Sequence, residues 1–129
     1  MNLCLIGRTL EKLERVEKEV RSLNPSIHTI KICVNFSQNA NTNFYESEVL
    51  RPLEAIPRDK VALLILNAGC MPNGNFERVS AQDLQDILDV NLYQVGMLSR
   101  MLLGNLFQRA LTGRHAALIT VSSLFGKFC

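Results

Sequence analysis

The sequence has little of what usually marks a function at sight. Its longest apolar run, Val61 to Leu66, falls far short of the ~18 residues of a membrane helix. Its first, Leu3 to Ile6, is strand-sized and gives no sign of a secretory leader. The net charge is +2, with Lys and Arg interleaved among Asp and Glu, which excludes the single-sign field expected for nucleic acid or an anionic membrane as partner. The four cysteines, Cys4, Cys33, Cys70 and Cys129, form no CxxC pair and read as buried, reduced thiols. His28 and His115 have no ligand-spaced partner, so no metal site is expected. The seven glycines are scattered, and no two lie close enough to form a phosphate-cradling loop.

What is present is an apolar content of 47%, enough for a real core in one domain over residues 1–129. Asn2 to Ile6 reads as a strand. Leu10, Leu13, Val16, Val20 and Leu23 recur at helical steps, with Thr9 as N-cap and Asn24-Pro25 as the stop. Ile27 to Val34 is a second strand, and Asn35 to Asn43 a polar loop. Phe44 to Ile56 is helical, bent or shortened by Pro52. Val61 to Leu66 shows no alternation, as in a strand buried on both faces. From Ser80, with Asp83 in a capping box, a stripe of Leu84, Ile87, Leu88, Val95, Leu98, Leu102 and Leu106 continues to about Leu111; Thr112-Gly113 ends it, and Ala116 to Val121 is the last strand. The βαβαβαβ order implies a parallel sheet covered on both faces, with ligands beyond the carboxyl ends of its strands.

The residues at those ends are informative. Gly7-Arg8-Thr9 offers a cation and no acid, the pattern that suits a ribose 2′-phosphate. Asn67-Ala68-Gly69 offers an amide able to bridge strands and a backbone open to close approach. Ser122-Ser123 offers a hydroxyl for a substrate carbonyl. With Asp89-Val90-Asn91 and the following Gly126, these motifs resemble the short-chain dehydrogenase/reductase family in order and interval along the whole chain. The stretch Leu5 to Leu13 and the lone Phe36 resemble the branch of hydroxysteroid dehydrogenases and very-long-chain 3-oxoacyl-CoA reductases.

The resemblance implies a Rossmann-type, doubly wound α/β sheet, incomplete here: the family's first strand, with its Gly-rich loop, and its C-terminal part have no counterpart. That strand would lie between Asn2–Ile6 and Val61–Leu66. The resemblance makes Ser123 the catalytic serine and Asn91 the support of a proton-relay water. It assigns Arg8, Asn35, Asn67, Ala68 and Gly69 to the cofactor, NADP(H), with Asn35 where many members have an adenine-contacting Asp. The family's YxxxK pair has no match, because Val49 and Met97 follow Tyr45 and Tyr93 at that spacing. The implied function is part of an NADP(H)-dependent oxidoreductase acting on a small-molecule carbonyl or alcohol, steroid or fatty-acyl in the branch resembled, and inactive as these residues alone. The implied location is intracellular: cytoplasmic, or endoplasmic reticulum where an anchor is added. The other reading is a non-catalytic module that associates, as a homodimer through helix 80–111, along a strip of Tyr93, Met97 and Met101.

Overall fold

The structure, a computed structural model, describes residues 2–37, 41–54, 56–72 and 74–123. Gly126 and Cys129 lie outside them. Strand β1 spans Leu3–Gly7 and helix α1 Leu10–Leu23, with the bounds its apolar period predicts. Thr9 occupies the N-cap with extended backbone, but its hydroxyl makes no capping bond; its carbonyl takes the Leu13 N–H at 3.2 Å. Extended Asn24 closes the helix. Strand β2 is Thr29–Cys33. Glu17 on α1 pairs with Lys31 and Arg21 and accepts from the Thr29 hydroxyl, pinning the helix to β2. The hydrogen bonds from Lys31 and Thr29 hold its carboxyl below the usual range.

Helix α2, residues 42–53, begins earlier than its apolar face suggests, because the Asn41 side chain caps it by accepting from Phe44 N at 3.0 Å. It is not uniform: a π stretch, Tyr45–Leu50, joins α turns at Thr42–Phe44 and Arg51–Leu53. Pro52 lacks an N–H and its ring crowds the carbonyl four residues back; a widened turn ahead of it relieves that conflict. The helix ends at Leu53, short of the expected Ile56, which is the shortening expected of Pro52. Strand β3 is Leu63–Leu66. Helix α3, residues 81–111, starts at a complete Ser80/Asp83 capping box and contains a second π stretch, Asp89–Tyr93. Gly113, at φ 74°, ends it in a conformation that favours glycine. Strand β4 is Ala117–Thr120.

The strands form two parallel pairs, β1–β2 and β3–β4. The backbone bonds fix which groups each pair uses. Leu3 N–H reaches His28 O and Val34 N–H reaches Gly7 O, so Leu3, Leu5 and Gly7 serve the β2 side. Cys4 and Ile6 therefore present their backbone groups to the opposite edge. By the same alternation Ala62, Leu64 and Leu66 serve β4, and Leu63 and Ile65 the other edge. No strand among the described residues pairs with either edge, which agrees with the place the family resemblance leaves for a further strand.

One core unites both pairs: Ile32, Val34, Phe36, Tyr45, Val49, Leu66, Val90, Met97 and Leu98, with Ile6, Leu64 and Leu118 packed against it. Three expectations need correction. Leu64 and Leu66 face the core, but Leu63 and Ile65 are 50% and 55% exposed, because no described element covers the second face of β3. Leu84 and Leu88 lie outside the stripe that Leu98, Leu102 and Leu106 bury; Val90, Gln94 and Met97 carry that face through the π turn. Cys33 is exposed, since strand alternation turns Ile32 and Val34 inward and Cys33 outward.

In hydrogen–deuterium exchange of the chain, the amides of Cys4, Ile6, Leu63 and Ile65 should exchange well ahead of Leu5 and Leu64. Uniform protection along β1 and β3 would contradict the two-pair sheet. Burial raises the Cys4 thiol to about 11, so little thiolate forms below that pH. Iodoacetamide at pH 8 should therefore label Cys33 before Cys4, as mass spectrometry of the peptides would show.

Candidate functional site

The carboxyl ends of β1, β2 and β3 converge on one cleft of about 190 Å³. Gly7 and Arg8 follow β1; Val34, Asn35, Phe36 and Ser37 follow β2; Ala68, Gly69 and Cys70 follow β3. Asp86 and Val90, one helical turn apart on α3, complete the lining. Crossovers between parallel strands place these loops on one side of the sheet, where such folds bind ligands.

The wall after β3 is fixed by Asn91. Its Oδ1 accepts from Cys70 N at 2.9 Å and its Nδ2 donates to Cys70 O at 2.8 Å. One amide thus satisfies both backbone groups of one residue. The Cys70 thiol donates to the carbonyl of Asp86 at 3.4 Å, a second tie between the same turn and α3. Burial is the main reason its pKa is raised; the Asp86 carboxylate adds to the rise and Arg8 opposes it, so both charges act on the thiol. Gly69 leaves the cleft wall bare: a Cβ built there would meet Asn91 Oδ1 at 3.5 Å, an ordinary contact.

Arg8 is exposed, and no carboxylate among the described residues lies within ion-pair distance of it. Asn35 closes a turn on itself: its Oδ1 accepts from Ser37 N at 3.3 Å and from Ser37 Oγ at 3.0 Å. The donor set is thus a cation, amide groups and a stretch of bare backbone, which suits a ligand with an anionic group and hydrogen-bonding edges. The volume is below the ~300–1,000 Å³ of a complete small-molecule site, so the cleft has room for a nucleoside-sized group.

The structure brings Arg8, Asn35, Ala68 and Gly69 into one cleft, while Asn67, Asn91 and Ser123 are not among its lining. Asn67 follows β3 and is exposed; Asn91 acts from behind the wall; Ser123 is exposed just beyond β4. Tyr45 is fully buried against Phe36, Phe44 and Tyr93, and burial, then Asp89 and Tyr93, push its phenol up to about 12. Sequence reasoning missed Cys70 and Asp86 as lining residues. The four-residue step from Asp86 to Val90 was the one available signal, and it has meaning only once the helix face is known. No group of three or more His, Cys, Asp or Glu among the described residues is arranged to hold a metal, and no described helix is long and apolar enough to cross a membrane.

Replacing Asn91 with Ala removes both bonds to Cys70 and should lower unfolding free energy by about 1–2 kcal/mol, since two net hydrogen bonds are lost. Denaturant titration measures it, and no change would show that water replaces the amide in full.

The short chain dehydrogenase family model matches residues 1–128. A very-long-chain 3-oxoacyl-CoA reductase of Aspergillus terreus (strain NIH 2624 / FGSC A1156) is 26% identical over 129 residues, covering 97% of this chain and 33% of that protein. A short-chain dehydrogenase from Sphingobium yanoikuyae, solved in complex with NADPH, superposes with a TM-score of 0.74 at 18% identity, over 98% of this chain and 45% of that one. A 3-ketoacyl-(acyl-carrier-protein) reductase from Brucella melitensis, complexed with NADH, gives 0.71 at 22% identity, over 93% and 46%. The chain therefore spans about a third of the curated relative's length and under half of the solved structures. With its parallel strand pairs, its strand-end cleft and a match from end to end, the chain belongs to the short-chain dehydrogenase/reductase family of oxidoreductases.

Proposed function

We propose that these residues form the adenosine-binding part of an NADP(H)-dependent oxidoreductase that interconverts a carbonyl and an alcohol. The observation that carries the reading is Arg8 in the strand-end cleft, a guanidinium without a carboxylate partner among the described residues. A 2′-phosphate meets its fork of donors, whereas the ribose hydroxyls of NAD(H) would find no acid at that position. Asn35 would meet the adenine base, beside the backbone of Ala68 and Gly69, all three in the cleft lining. Asn67, just after β3, is the residue whose amide would brace neighbouring strands beside the cofactor.

The dinucleotide, when bound, supplies or accepts the hydride. Ser123 donates a hydrogen bond to the substrate oxygen from the end of β4. Asn91 is a positioning residue: its amide is occupied at both ends by Cys70, so it serves a proton relay by fixing the wall against which a water stands. The curated relative is named for very-long-chain 3-oxoacyl-CoA, and a fatty-acyl or steroid carbonyl is the substrate class proposed. The proposed location is intracellular, in the cytoplasm or at the endoplasmic reticulum.

A second reading, association through α3, has its own observation. Leu84, Leu88 and Leu92, then Leu103, Phe107 and Leu111, are exposed at four-residue steps. The strip expected from Tyr93, Met97 and Met101 is not the exposed one, because Met97 is buried in the core and Met101 packs against it. A homodimer would use the leucine side.

Equilibrium titration of the chain with NADPH and NADH tests the first reading. NADPH should bind more tightly, and Arg8→Ala should weaken it by about ten- to a hundredfold while leaving NADH nearly unchanged, the range of one lost charge-assisted contact. Equal affinities in the unmodified chain would reject the NADP(H) preference. For the second reading, sedimentation velocity should show a dimer that Leu88→Glu with Phe107→Glu dissociates; a monomer throughout would reject it.

A further inference from the structure

Asn35 and Asp86 line the same cleft from different elements, and their polar atoms are unequally engaged. The Asn35 oxygen takes both the backbone N–H and the hydroxyl of Ser37. Only oxygen can receive a backbone N–H, so the amide orientation is set and Nδ2 is the end left for a ligand. Asn35 thus offers a donor, with its acceptor already committed. Asp86 is the converse. Its Oδ1 accepts from Gln82 Nε2 at 2.8 Å, its Oδ2 has no hydrogen-bond partner, and no cation pairs with it among the described residues. The carboxylate is half-buried on α3, and its charge acts on Cys70 together with that of Arg8.

The cleft therefore holds one open acceptor, one open donor and one open cation. A ligand that answers all three carries a hydrogen-bond donor, an acceptor and an anion. Adenosine 2′-phosphate has that pattern: its exocyclic amine donates, the adjacent ring nitrogen accepts, and the phosphate takes the cation. We propose that Asp86 reads the exocyclic amine of the adenine base, with Asn35 Nδ2 donating to the neighbouring ring nitrogen, which makes Asp86 a specificity-determining residue. The assignment rests on the adenosine reading of the cleft. It places the acceptor on the long helix, because the loop residue after β2 has its oxygen engaged in its own turn.

The test compares adenosine 2′-monophosphate with inosine 2′-monophosphate, titrated into the ¹⁵N-labelled chain and followed at the amides of Arg8, Asn35 and Asp86. Inosine carries a carbonyl oxygen and a ring N–H where adenosine carries the amine and the bare nitrogen, so both contacts are reversed. The unmodified chain should prefer adenosine about tenfold or more, as expected when a charged acceptor loses its donor. Asp86→Asn, which can turn an NH₂ group toward the inosine oxygen, should abolish or invert that preference. Arg8→Ala should weaken both nucleotides alike and leave their ratio unchanged. If both nucleotides bind equally, or if the preference survives in Asp86→Asn, the role of Asp86 is overturned while the cleft remains a nucleotide site. If neither binds, the adenosine reading falls and this assignment with it.

Discussion

The geometry of the cleft depends on one side-chain amide pairing with one peptide unit. Asn91 and Cys70 are 21 positions apart, and their two hydrogen bonds join the long helix to the turn after β3. A planar amide that both accepts from and donates to the same residue leaves that turn little freedom to slide or tilt. The far wall inherits this constraint: Cys70 is kept against the Asp86 carbonyl, and Ala68, Gly69, Asp86 and Val90 line the cleft with the loops after β1 and β2. Asn91 does this while remaining outside the cleft. Its part in function is exerted through backbone that it does not itself present to a ligand.

Much of this was legible in the sequence, and the reasons differ by element. Helix α1 was readable to its ends because a clean apolar period and a proline-marked stop coincide. The capping box at Ser80 was readable because both partners lie within one turn. The meeting of Arg8 with Ala68 and Gly69 was expected from strand order, since parallel crossovers return each loop to the same side, whereas Asn35 was assigned only through the family resemblance. What escaped were properties that arise between elements. The exposure of Leu63 and Ile65 depends on what covers the sheet, which the apolarity of a strand does not state. The engagement of the Asn35 oxygen by Ser37 is a local turn that a residue's identity permits but does not require. Asp86 looked like any surface acid on an amphipathic helix until the helix was docked.

The two π stretches had no signature that periodicity alone could show, yet they adjoin in space. Tyr45 opens the first, Tyr93 closes the second, and their rings meet edge to face at 5.9 Å. Each stretch adds width to a helix where it crosses the core. The second contains Asn91, so the local change in helix geometry coincides with the residue that must reach across to Cys70. Wide turns of this kind recur where a helix has to aim a side chain off its regular path.

The sheet in two halves has a kinetic consequence. The outward backbone groups of Cys4 and Ile6 on β1, and of Leu63 and Ile65 on β3, leave two strand edges that pair with no strand among the described residues. Pairing of one copy's edge with another copy's is a second-order process, so its rate per molecule grows in proportion to protein concentration, whereas the rate per molecule of closure within one polypeptide does not change with concentration. Dilution therefore favours the orderly outcome and crowding the disorderly one. For a sheet of this construction, the concentration at which it folds decides its fate as much as the strength of its core.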